Sequence, residues 1–143
     1  MAHIAKLKWN KNLPKDVFDR IMHLTEQHPY YVNALFDEIW CECDDVPTVE
    51  AVNDCWKGVV ESERSDLVKD FLSLSDNQRR IAMYIANTDG NEIFSGSAAK
   101  EMSIAPGSLS ATLNALIEKD FVEKIGNVYR LVVPAYKEIL REE

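Results

Sequence analysis

Cys41-Glu42-Cys43, Cys55 and His28 are the residues whose types first suggest chemistry. Thiolate and imidazole bind zinc, but a structural zinc site takes two ligand pairs at short spacing. Cys41 and Cys43 are two apart at an expected helix end, so they point to different sides. Plain thiols, buried or on the surface, are the better reading, and no metal ligand is assigned. A nucleophilic cysteine needs a base and a group that orients the base. The three scattered histidines offer no such pattern, so no catalytic residue is assigned either. Asp44-Asp45 and Glu142-Glu143 read as solvated acid in a loop and a tail. The glycines, at 58, 90, 96, 107 and 126, form no run ending in Gly-Lys-Ser/Thr. The chain therefore lacks a phosphate loop and is not expected to bind and hydrolyse a nucleotide on its own.

A second set of residues has the chemistry of nucleic-acid contact. Ser108, Ser110 and Asn114 can touch phosphates and bases from one helix. Arg79, Arg80, Lys100, Lys119 and Lys124 could gather on one face as phosphate contacts. Yet the helix bearing Ser108 has no Arg or Lys before Lys119, and the following turn, Gly126-Asn127, is short and uncharged. Weak DNA affinity at most is expected, because phosphate neutralisation sets the affinity scale.

The elements that must position these residues are legible from Leu74 to Leu131. Ser75-Asp76-Asn77-Gln78 is a capping box. The helix it opens carries Ile81, Tyr84 and Ile85 on one side and stops at Thr88-Asp89-Gly90-Asn91. Glu92-Ile93-Phe94 is expected as a short extended piece and Ser97 to Met102 as a short helix. Pro106 suits the first position of the next helix, which runs to about Lys119. Leu109, Leu113, Leu116 and Ile117 form its buried stripe. Two β-rich runs, Phe121 to Ile125 and Val128 to Val133, flank Gly126-Asn127. A two-residue loop pairs Ile125 with Val128, Lys124 with Tyr129, Glu123 with Arg130 and Val122 with Leu131, which sets Glu123 to neutralise Arg130. Helix, strand, helix, turn, helix, hairpin is the order of a winged helix-turn-helix.

The first half is expected to be helical throughout. Val17, Ile21 and Leu24 repeat after Pro14 to about Gln27, where His28-Pro29 breaks the helix. A second helix, Pro29 to Cys41, carries Val32, Leu35, Phe36, Ile39 and Trp40. Thr48 caps a third, through Val52, Cys55, Trp56 and Val59. A charged break, Glu61 to Ser65, is expected before a last piece from Asp66 to Leu74. The domain boundary is placed near Leu74, giving 1–74 and 75–143, with no flexible linker and two small units expected to dock.

The 143 residues are 46% apolar and 28% charged, ordinary values for a globular chain. No apolar run reaches spanning length, so no membrane role is expected. Residues 1–9 lack the apolar core of a signal peptide. The odd cysteine count argues against a disulfide framework and for a reducing cytoplasm. Residues 1–74 hold eight Lys/Arg against fourteen Asp/Glu, net -6; residues 75–143 hold eight against ten, net -2; together they give -8. An acidic chain is a poor general DNA binder.

Glu26-Gln27-His28-Pro29-Tyr30-Tyr31-Val32 and Phe36-Asp37-Glu38-Ile39-Trp40 resemble the lid of prokaryotic P-loop ATPases of the AAA-type, archaeal-ATPase-like group, relatives of the signal-transducing NTPases. That family has a Gly-(His/Asn)-Pro-Tyr-Tyr-type turn between two lid helices. A Leu-Ser-x-x-Gln segment and a winged helix follow. Leu74-Ser75-Asp76-Asn77-Gln78 and Leu116-Ile117-Glu118-Lys119 stand in the corresponding places, so the resemblance spans about residues 12–140. Gln27 departs from the family's Gly, and Val133-Pro134-Ala135-Tyr136 from its Asp-Pro-aromatic turn. The resemblance implies a mainly α fold: a small helical lid bundle, then a winged helix-turn-helix with a short β-hairpin. It implies that Pro29, with His28 and Tyr30 beside it, borders a nucleotide. It also implies an N-terminal P-loop ATPase domain in the same polypeptide, which would hold ATP and magnesium; this chain itself carries no cofactor.

Three functions compete. The leading one is a non-catalytic module that couples the nucleotide state of the P-loop domain to an unknown protein partner. The others are a DNA-binding transcriptional regulator and a protein-interaction adaptor. Fold alone does not choose among them.

Overall fold

The structure, a computed structural model, describes residues 2–141. Met1 and the Glu142-Glu143 pair lie outside the described residues. The chain is mainly α, with eight helices and one two-stranded antiparallel hairpin among the described residues. It divides into two compact units, Met1–Arg64 and Ser65–Glu143.

The first unit holds α1 (Ala2–Trp9), α2 (Lys15–Thr25), α3 (Pro29–Glu42) and the greater part of α4 (Val49–Leu72). Its core takes Val17 and Ile21 from α2, Tyr31, Leu35, Phe36 and Ile39 from α3, and Val52, Cys55, Trp56, Val59 and Val60 from α4. The apolar positions recur at helical spacing, which turns one stripe of each helix inward. Trp9 brings α1 onto α3: its ring meets Phe36 edge-on at 6.3 Å, and its indole N–H donates to the Cys43 carbonyl at 3.1 Å. Pro14 is the N-cap of α2. Thr48 caps α4 by accepting from the Ala51 N–H at 3.1 Å.

The turn from α2 to α3 is left-handed at two successive residues, Glu26 at φ 51° and Gln27 at φ 60°. Gln27 thus takes the conformation that glycine adopts without steric cost. The N–H groups of Glu26 and Gln27 donate to the carbonyls of His23 and Met22, closing α2. Pro29 then begins α3, where its missing N–H costs no helical bond.

The charged stretch from Glu61 to Ser65 is not a break: α4 continues through it as one helix of 24 residues. No Gly or Pro interrupts it between Val59 and Leu74. Arg64 pairs with Glu61 one turn back at 2.8 Å, a spacing that favours helix. The division between units falls within this helix, earlier than Leu74.

The second unit adds α5 (Asp76–Thr88), α6 (Gly96–Met102), α7 (Pro106–Glu118), β1 (Val122–Ile125), β2 (Val128–Leu131) and α8 (Tyr136–Leu140) to the end of α4. The capping box is formed: the Gln78 N–H donates to Ser75 Oγ at 3.3 Å, and the Ser75 N–H to Gln78 Oε1 at 3.0 Å. One core joins Ile81 and Ile85 of α5, Leu109, Leu113 and Leu116 of α7, Val122, Leu131, and Tyr136 and Leu140 of α8. Leu67 and Phe71 of α4 pack against it, and the Tyr136 hydroxyl donates to the Leu67 carbonyl at 2.7 Å. Burial raises the Tyr136 phenol well above its ordinary value, with the Asp70 charge adding to it.

The hairpin has the expected register, Ile125 with Val128 through Val122 with Leu131. Arg130 pairs with Glu123 at 2.5 Å. Glu92-Ile93-Phe94 is not extended. It is a turn, with Glu92 at φ 51° and the Ser95 N–H donating to the Glu92 carbonyl at 2.9 Å. Only Ile93 of that triplet is buried, and the Ser95 cap of α6 follows at once, which leaves no length for a strand.

Candidate functional site

Two surfaces carry the residues picked out in the sequence. The first lies at the start of α3. His28 is its N-cap, half-buried, with its ring edge-on to Tyr31 at 5.2 Å. The His28 Nδ1 atom is buried and has no hydrogen-bond partner. Pro29 and Tyr30 are exposed, Tyr30 by 57%. Tyr31 is buried.

Both tyrosines point at one carboxylate of α4. The Tyr30 hydroxyl donates to Glu63 Oε1 at 2.6 Å, and the Tyr31 hydroxyl to Glu63 Oε2 at 2.7 Å. The hydrogen bond to Glu63, together with its negative charge, raises the Tyr30 phenol above its ordinary value. Rings extend the cluster inward: Tyr30 to Tyr31 at 4.9 Å and Tyr31 to Trp56 at 5.8 Å. Glu63 did not stand out in the sequence because it sits in the charged stretch mistaken for a break. A signal was present: Trp56, Val60 and Glu63 follow one another at i, i+4, i+7. A carboxylate on an apolar stripe calls for a partner.

The second surface is α7 with the cations around it. Ser108, Ser110 and Asn114 are exposed on α7, as are Gly107 and Ala111. Three of the five cations named with them, Arg79, Arg80 and Lys119, donate to oxygens of the chain itself. Arg79 donates through Nη1 to the carbonyls of Leu72 and Leu74 at 3.0 and 2.9 Å, and through Nη2 to Asp76. It therefore satisfies carbonyls left over at the end of α4. Arg80 does the same for α6, reaching the Ser103 carbonyl at 3.3 Å. Lys119 donates to Gln78 Oε1 at 3.2 Å, and Lys124 lies 5.6 Å from the centre of the Tyr129 ring. Lys100 is exposed on α6.

Arg79 and Arg80 share an open groove of about 890 Å³ with Phe71, Met83, Asp76 and Glu101. Lys119 lines a smaller one of about 350 Å³, beside Asp70 and Asp120. Each groove thus pairs its cations with acid. The hairpin tip is apolar instead, with Ile125 and Val128 exposed by 49% and 46%. Phe94 is exposed too, and its ring meets Tyr129 edge-on at 5.8 Å.

The cysteines differ in access: Cys41 is exposed, Cys43 intermediate and Cys55 buried. Burial pushes the Cys55 thiol up to about 12, with the Cys43 sulfur and the Glu38 carboxylate adding to it. A thiol so held is a poor nucleophile at neutral pH. Among the described residues, no group of three His, Cys, Asp or Glu is placed to hold a metal ion. Nor, among them, is any helix long and apolar enough to cross a membrane. Comparison with protein-family models, with curated proteins and with solved structures finds no match for this chain.

Proposed function

We propose that this chain is a non-catalytic coupling module, whose C-terminal unit is a winged helix that engages protein rather than DNA. The observation that carries this reading is the engagement of its cations. Arg79, Arg80 and Lys119 already donate to carbonyl or amide oxygens of the chain itself. Phosphate contacts would have to displace those bonds, and each unmade contact removes counterion release, the main source of DNA affinity. The exposed face of α7 offers small and neutral groups, and the hairpin tip is apolar. Such a surface suits a protein partner better than a polyanion.

The winged-helix reading is supported by the order α5, α6, α7, β1, β2. The turn at Glu92 to Phe94 departs from it, since a winged helix commonly has a strand there. The lid reading of the first unit is supported by the exposure of Pro29 and Tyr30 at the start of α3. A P-loop domain carrying ATP and magnesium would meet the chain at that edge, and lid closure would move the helices as a body.

The test is a duplex titration at low salt with the wild type and a Lys100→Ala, Lys124→Ala pair. These two lysines are chosen because Arg79 and Arg80 hold helix ends together. No sub-micromolar binding is expected. Tight binding that salt reverses and the double variant weakens would transfer the chain to the DNA-binding regulators.

A further inference from the structure

The helix α5 carries two stripes. Ile81, Ala82, Ile85 and Ala86 are buried in the core of the second unit. Asp76, Arg79, Arg80 and Met83 recur at i, i+3, i+4 and i+7 on another side and line the open groove of about 890 Å³. The outward face of a surface helix is ordinarily polar. Here Met83 shares the groove with Phe71 of α4 and Met102 of α6. Leu72 lines it too, and is 60% exposed. The patch thus sets a protruding apolar side chain beside an apolar hollow.

Its charges balance. Asp76 and Arg79 pair with each other, and Arg80 and Glu101 complete two cations and two acids, on a chain of net charge -8. Among the described residues, Arg80 reaches the Ser103 carbonyl but no carboxylate, and the exposed Glu101 meets no cation.

We propose that this groove is a self-association surface, on which a second copy of the chain docks about a two-fold axis. A two-fold contact sets one patch against itself, so the patch must supply both halves of every contact. This patch does so twice. Leu72 of each copy enters the hollow of the other, and Arg80 of each meets Glu101 of the other. Elsewhere two copies of so acidic a chain repel, and a patch of balanced charge is where they approach at least cost. The hairpin tip lacks this self-fit. Ile125, Val128 and Phe94 are all exposed there, and neither groove includes them. Nor is Glu123 left to meet Lys124, because Arg130 takes it. The proposal stands apart from the coupling reading, which concerns α7 and the hairpin tip. One groove is a small interface, so the expected Kd is about 10–100 µM.

Sedimentation equilibrium of the full chain tests this, from about 5 to about 500 µM at about 0.15 M salt, which screens the general repulsion. The weight-average mass should rise from 16.3 kDa towards twice that value and stop there, because a two-fold contact closes. Leu72→Glu, at an exposed position, should weaken association at least about tenfold. Amide exchange at Leu113 checks that each variant keeps its core. Ile125→Ser with Val128→Ser should leave association unchanged. Arg80→Glu should weaken it, and adding Glu101→Arg should restore it. A mass of 16.3 kDa throughout, growth beyond two copies, a dimer indifferent to Leu72→Glu, or one broken at the hairpin tip would each overturn the proposal. So would a charge exchange that leaves association as weak as Arg80→Glu alone.

Discussion

Replacing Gly90 by alanine tests how the second unit is locked. Gly90 follows Asp89, the left-handed C-cap of α5, and itself has φ +75°. A non-glycine residue there costs about 1–2 kcal/mol from the backbone alone. Space adds a second cost, because an added Cβ would stand 2.0 Å from the Tyr129 carbonyl oxygen. Ordinary contact begins at 3.4 Å, so the turn or β2 must give by the difference, 3.4 − 2.0 = 1.4 Å. Overpacking of that kind costs about 1–3 kcal/mol. Together the expected loss is about 2–5 kcal/mol. Gly126 is the matched control: its φ is +61°, but nothing lies within 4 Å of an added Cβ. Gly126→Ala should therefore cost only the backbone part, about 1–2 kcal/mol. All three tryptophans lie in the first unit, so their fluorescence does not read this one. Amide exchange at Leu113 and Leu116, buried on α7, reports opening of the right core. Equal losses for the two variants, within about 0.5 kcal/mol, would refute the reasoning, since the Tyr129 contact would then contribute nothing.

Leu113 is 1% exposed in the same core, and Leu113→Ala should cost about 2–5 kcal/mol by the same exchange measurement; a loss below about 1 kcal/mol would remove α7 from the core. Asp89 meets Lys137 and Arg141, each at 2.9 Å. Burial pushes its carboxyl up, but the two cations outweigh that and hold it below the usual range. A depressed folded pKa stabilises above the unfolded carboxylate pKa, and that contribution is lost as pH falls through the folded value. Asp89→Asn should flatten the acid limb of stability against pH, by less than about 1 kcal/mol because the pair is exposed; an unchanged acid limb in urea titrations across that window would count against it.

Elements specified by local chemistry were legible. The two-residue loop at Gly126-Asn127 fixes the hairpin register, because strands of period two cannot slip without turning their buried face outward. Ser75 and Gln78 satisfy each other within four residues, and the stripe of α7 needs only its own spacing. The elements misread were those in which composition stood in for local chemistry. Charge alone does not stop a helix, and α4 carries Glu61 to Ser65 because nothing there breaks its backbone bonds. β-formers alone do not make a strand, and Ile93-Phe94 lie in a turn that left-handed residues Asp89, Gly90 and Glu92 lead into. The helix α8 was not foreseen; it has five residues, too few for periodicity to speak.

The candidate site was legible in its residue types and not in their engagements. Arg79 and Arg80 are cations in any reading, but whether they are free for phosphate depends on which carbonyls lie near. Leu72 and Leu74 are close in sequence, whereas Ser103 comes to Arg80 only through the packing of α6 on α5. Glu63 shows the converse. Its position on the stripe of Trp56 and Val60 is a local inconsistency that the sequence displays openly. An inconsistency of that kind is resolved by a partner or marks a function. Here the partners are Tyr30 and Tyr31, so the residues that resemble a lid turn are tied to the long helix by a single carboxylate. The Tyr-Tyr pair is thereby explained without a nucleotide. What the bonds to Glu63 leave over is the exposed ring of Tyr30 beside Pro29, and it is that face, rather than the hydroxyl, that a bound group would have to use.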